Sequence, residues 1–157
     1  MKTLTGLAIY ICLLFLYPCG AETIVHPSVP IENSFIPTHN GSPGIYVKLR
    51  MENGKEFLFM IDTGRPHTSI DKSLEPLLGK RLGRTLFFEP LEDGLSLADV
   101  YRAPKLYLGQ TPLLTGSRIF AYNWQRWEPG VMGVLGIDCL RHYCVQFDFA
   151  HDKIRFL

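Results

Sequence analysis

From residue 34 to the end, apolar and polar positions alternate over short runs, and turn residues separate the runs. Residues 45–51 alternate from Tyr46 outward, as a half-buried strand does. Asn53-Gly54 follows, the signature of a two-residue type I′ hairpin turn. The return run, Phe57-Leu58-Phe59-Met60-Ile61, is continuously apolar and predicts a buried strand. It runs straight into Asp62-Thr63-Gly64, so a rigid strand delivers an acid onto a tight turn. Residues 67–71 predict a short strand leaving that loop. Ser73 is placed to cap a helix from about Leu74, with Pro76 tolerated in its first turn. Further strands are predicted over 85–88, 95–101, 105–108 and 117–122. Residues 123–130 form an aromatic loop around Trp124 and Trp127. An apolar, glycine-punctuated stretch over 131–136 then leads to Asp138, read as the cap of a helix reaching Tyr143. Strands over 145–149 and 154–157 close the chain. Many short strands, regular turns and one or two small helices predict an all-β, barrel-like domain.

The N-terminal stretch breaks this pattern. Lys2 precedes an apolar run over 7–17, followed by Pro18-Cys19-Gly20-Ala21 and Glu22. A positive start, a short apolar segment and a small-residue site predict a secretory signal peptide over 1–21, cleaved after Ala21. Lipidation at Cys19 is the alternative, opposed by Pro18, and would be the one route to a membrane. A retained anchor fits less well, because the apolar run falls short of the roughly 20 residues a span needs. Residues 22–44 are rich in Pro, Ser, Asn and His; 22–33 read as an N-terminal arm, and 34–157 as the folded domain.

Composition narrows the function classes. The 157-residue chain carries a formal charge of +1. Removing 1–21 takes away Lys2 and no acid, which leaves it formally neutral. Nothing therefore points to nucleic acid or an anionic surface. The five histidines lack metal-ligand spacing, no serine or cysteine nucleophile motif is present, and no cofactor is implied. With Cys12 and Cys19 in the signal segment, Cys139 and Cys144 remain as an even pair in an oxidising context. A bridge and two free thiols both fit this spacing.

Two motifs in order carry a family resemblance. One is the apolar strand into Asp62-Thr63-Gly64. The other is Val134-Leu135-Gly136-Ile137-Asp138-Cys139-Leu140. With the closing hairpin of 145–157, the chain resembles the retropepsin-like aspartic proteases, in particular their exported or membrane-associated bacterial relatives. The resemblance implies a closed β-barrel in which the second motif crosses and buttresses the loop of the first, with Gly136 supporting that loop. It implies Asp62 as the catalytic acid, with Thr63 bonding across a two-fold axis and Gly64 letting the backbone turn close to the carboxylate. A single Asp-Thr-Gly in a one-lobed chain implies a homodimer acting on a peptide or protein, since the chemistry uses two carboxylates sharing a proton. A flap around Asp93 and Gly94 is the candidate cover for the substrate.

Two departures keep a second reading open. Arg65 stands where relatives carry a small residue, and its guanidinium either faces the acids or turns out to solvent, the latter being the expectation. The flap supplies only Gly94. A non-catalytic module that binds peptides or proteins outside the cytoplasm is therefore the alternative. Asp138 as an in-chain second acid is the weaker role beside a helix cap. His67, Trp124 and Trp127 are read as surface or packing residues before substrate contacts.

Overall fold

A computed structural model of the chain describes residues 30–89 and 94–157. The signal segment 1–21, most of the arm 22–33, and Asp93 of the candidate flap lie outside the described residues. A three-stranded antiparallel sheet joins β1 (Ile31–Ser34), β13 (Lys153–Phe156) and β12 (Val145–Asp148), with β13 in the middle. The ten-stranded sheet takes the rest: β2 (Ile36–His39), β3 (Ser42–Met51), β4 (Glu56–Ile61), β5 (Ser69–Asp71), β6 (Gly83–Glu89), β7 (Gly94–Arg102), β8 (Leu106–Leu108), β9 (Thr111–Pro112), β10 (Arg118–Tyr122) and β11 (Gly133–Leu135). The class is all-β, as the short alternating runs predict. The main path, β6-β7-β10-β5-β11-β4-β3-β8-β9 with β2 on β3, does not return to its start. The closed barrel expected from the sequence is thus replaced by an open sheet. The physical reason lies at the C-terminus, where β13 pairs with β12 on one side and β1 on the other and, among the described residues, closes no seam of the larger sheet.

The core still spans both sheets. Ile31, Ile154 and Phe156 of the smaller sheet pack in one cluster with Val47, Leu49, Phe59, Ile70, Leu106 and Leu135 of the larger. On β3 the alternation predicted from the sequence holds: Val47, Leu49 and Met51 are buried and Lys48 is exposed. Each such fully buried aliphatic side chain contributes roughly 1.5–3 kcal/mol.

The turns correct two local expectations. Asn53-Gly54 does not form the two-residue type I′ turn. Gly54 N–H donates to Met51 O at 3.0 Å and Met51 N–H to Lys55 O at 2.9 Å, with Gly54 at φ +81°. This is a three-residue loop ending in a left-handed glycine, because Asn53 keeps a negative φ. The type I′ turn occurs one hairpin earlier, at Asn40 (φ 48°) and Gly41 (φ 84°), between the paired His39 and Ser42. Likewise the helix after β5 is a 3-10 segment, Lys72–Leu77, capped by Asp71 and not by Ser73. Asp71 lies two residues nearer the start and accepts Ser73 N–H at 2.9 Å.

One topological feature positions the site. β11 is threaded between two strands from far earlier in the chain. It runs parallel to β4, with Leu135 opposite Ile61, and antiparallel to β5, with Gly133 opposite Ile70. The loop joining β4 to β5 must therefore arch over the end of β11.

Candidate active site

Asp62 stands on that arch, one residue past β4. Its N–H donates to Leu135 O at 3.2 Å, so β11 carries the ladder one step beyond the strand. Gly64 N–H donates to Asp62 Oδ1 at 2.8 Å, and Arg65 N–H to Asp62 O at 3.3 Å. The carboxylate is oriented from below and remains 34% exposed. Thr63 and Gly64 are exposed beside it. This leaves one carboxylate oxygen fixed by the loop and an open face above.

The arch is clamped from its inner side. Ile137 N–H donates to Arg65 O at 2.8 Å, and Gly136 N–H to Thr68 Oγ1 at 3.2 Å. Asp138 Oδ1 accepts both Thr68 Oγ1–H at 2.7 Å and Thr68 N–H at 2.8 Å. Gly136 is needed for the approach, since a methyl there would lie 2.6 Å from the His67 carbonyl carbon and 2.9 Å from Arg65 O. Asp138 is 7% exposed and Thr68 1% exposed. Asp138 is accordingly not the helix cap expected from the sequence. The N-cap of α1 (Ile137–Leu140) is Gly136, and Asp138 turns back to hold the arch. Thr68 is the member that sequence reasoning missed. Its only signal was its place six residues past Asp62, which names no partner.

Arg65 also departs from expectation. It was expected to point to solvent, yet its side chain is 13% exposed and lies inward. Its Nε sits 3.9 Å from Asp62 Oδ2, and the guanidinium carbon lies 5.0 Å from the ring centre of Trp124. Trp124 is itself 4% exposed and donates its ring N–H to Ser69 Oγ at 3.1 Å. The stacked indole offers the guanidinium a flat surface that solvent does not, which draws it inward. Asp71 adds a second hold on this region, accepting Gln125 N–H at 3.0 Å and so tying the aromatic loop to β5.

The remaining sequence candidates fall elsewhere. Gly94 opens β7, opposite Glu89 across a long β6–β7 hairpin. Cys139 and Cys144 are both free thiols. Cys139 is turned into the core from α1, where burial pushes its thiol well above the ordinary range, while Cys144 is exposed just before β12. The bridge considered from their spacing is not formed, because the two side chains occupy opposite environments. His67 is exposed on the arch with its ring against Phe120.

The fold and this threaded arch together define an all-β domain built on two sheets. A solved structure, that of a retropepsin-like aspartic protease from Rickettsia conorii, is similar over 84% of this chain and 96% of its own, with a TM-score of 0.51 and 15% identity. At that identity the likeness is one of fold. No family profile matches the sequence, and no curated protein matches it.

Proposed function

We propose that the protein is an aspartic endopeptidase in which Asp62 from each of two copies forms one dyad around a single water. The observation that carries this reading is the Asp62 carboxylate, held by Gly64 N–H and left open above an arch clamped by residues 135–138. Two carboxylates in contact share one proton, since both cannot readily ionise. The charged one takes a proton from the water as its oxygen bonds to the scissile carbonyl carbon. The protonated one then delivers its proton to the departing nitrogen as the C–N bond breaks. Carboxylates and water suffice for this reaction, and the substrate is a peptide or protein. Thr63 and Gly64, exposed at the tip of the arch, are the residues we assign to the contact between copies. The location outside the cytoplasm rests on the sequence of residues 1–21 alone.

The test mixes chains. Wild-type and Asp62→Asn copies carrying different tags are co-expressed, and the mixed dimer is isolated. Asn keeps the size and the hydrogen-bonding capacity of the side chain, so the fold is retained. The mixed species is expected to be nearly as inactive as the all-mutant one. A rate near half of wild type per dimer would mean a complete site in each chain, and the shared dyad would be wrong.

Arg65 supports a second reading. Its Nε, 3.9 Å from Asp62 Oδ2, already stands at the carboxylate face that a second acid would have to reach. This suits a module that binds peptides without cutting them. Peptide binding without cleavage by the wild-type protein, from acidic to neutral pH, would select it.

A further inference from the structure

We propose that the groove beside the Asp62 arch recognises an acidic side chain of the bound peptide, and that Arg118 is the residue that selects it. The inference rests on the reading of the protein as a peptide-handling domain. A pocket of about 420 Å³ lies beside the arch, lined by Pro66 and His67 of the arch, Arg118 and Phe120 of β10, and Asp138 and Arg141 of the α1 region. A second cavity of about 350 Å³ meets it, sharing Arg118 and Phe120 and reaching Arg84 and Thr85 of β6. Arg118 thus stands between two hollows that connect the arch to the β6–β7 hairpin.

The electrostatics of the lining are one-sided. Two guanidiniums, Arg118 and Arg141, line the first pocket against one carboxylate, Asp138. That carboxylate already accepts two hydrogen bonds from Thr68. In the second cavity Arg84 is held by Asp99 at 2.9 Å. Arg118 is exposed and has no side-chain hydrogen bond or ion pair among the described residues. A guanidinium presents a planar fork matched to a carboxylate, and an unengaged one at a groove wall favours that partner over an amide. Phe120, its ring 4.8 Å from that of His67, supplies an apolar wall for the methylenes that carry the acid. Side chains of an extended peptide alternate in direction. The first pocket is lined by Pro66 and His67 but by neither Asp62 nor Thr63, so a side chain lodged there belongs to a residue flanking the cut.

Peptide libraries scanned with Glu, Gln and Lys at each flanking position test this with the full chain. Binding is read by fluorescence anisotropy on the Asp62→Asn protein, and cleavage as kcat/KM on the wild type. At one flanking position Glu is expected to exceed Gln by about tenfold, the size set by a hydrogen bond to a charged group. Arg118→Gln should erase that preference, and Arg118→Glu should turn it toward Lys. Both replacements sit on an exposed side chain, so the fold is retained. Equal handling of Glu and Gln by the parent protein overturns the inference. So does a Glu preference that survives Arg118→Glu, or a library in which nothing binds. A Glu preference in binding with no cleavage keeps this site and removes the proteolytic reading. Cleavage with no charge preference does the reverse.

Discussion

Thr68 shows how much one hydroxyl can hold. It is buried at the foot of the arch, donates to Asp138 and accepts from Gly136 N–H. Replacing it with Val keeps the shape and removes both interactions. Asp138 would retain Thr68 N–H as a donor but lose the hydroxyl, and Gly136 N–H would lose its acceptor. Leaving buried polar groups unmet costs about 1–3 kcal/mol. Thr68→Val is therefore expected to lower unfolding stability by that amount, read from the denaturant midpoint at constant slope, while Thr68→Ser restores most of it. A loss no larger than that of an exposed threonine would mean that water replaces the hydroxyl and that the clamp is not where the stability lies. Arg65 makes the complementary point. Its sequence position next to Asp-Thr-Gly was plain, yet its direction depended on Trp124, a residue from another part of the chain.

Among the elements, β7 gathers three cations around one of its acids. Asp99 on β7 lies directly opposite Arg84 on β6 and also meets Arg81 at 2.9 Å and Lys72 at 3.9 Å. The hydrogen bond from Arg84, with that from Arg81, holds the Asp99 carboxyl below the usual aspartate range despite the opposing effect of burial. A depressed folded value gives stability that is present above the unfolded value and lost as pH falls through the folded one. Thermal unfolding from pH 7 down to pH 2 should therefore show Asp99→Asn less stable at neutral pH, and the gap to wild type should close in acid. The partners are about half exposed, so solvent screening limits the difference to about 1 kcal/mol or less. A gap that stays constant with pH would assign the loss to packing. The elements themselves were largely legible in the sequence. The alternation in β3, the apolar run of β4 and the closing hairpin are local patterns, and local patterns decide strands. The turns were less so, because Asn-Gly occurs twice and only the paired strands decide which copy takes the two-residue form. Asp138 was misjudged for the same reason. Helix caps are local, whereas its partner Thr68 lies 70 residues away.

At the scale of the whole molecule, the one-lobed chain offers a single Asp-Thr-Gly, so the proposed activity belongs to a pair of copies. Specific activity per chain is then expected to rise with protein concentration and to level off once the pair is saturated, in step with the mass measured by sedimentation. Specific activity that is flat across a range where the mass changes from one copy to two would place a working site in the single chain. The open sheet was not legible in the sequence. Closure depends on which strand the C-terminal hairpin pairs with, and among the described residues that strand is β1 and not an edge of the larger sheet.

The insertion of β11 between β4 and β5 also sets a timetable. A chain made from its N-terminus has the hairpin carrying Asp62 complete long before residues 133–140 exist. Until they do, Asp62 N–H has no Leu135 carbonyl to meet and Thr68 has no Asp138. Contacts between such distant segments form late and slowly. The nascent protein thus carries Asp62 without the contacts that fix its position until residues 133–140 have been made.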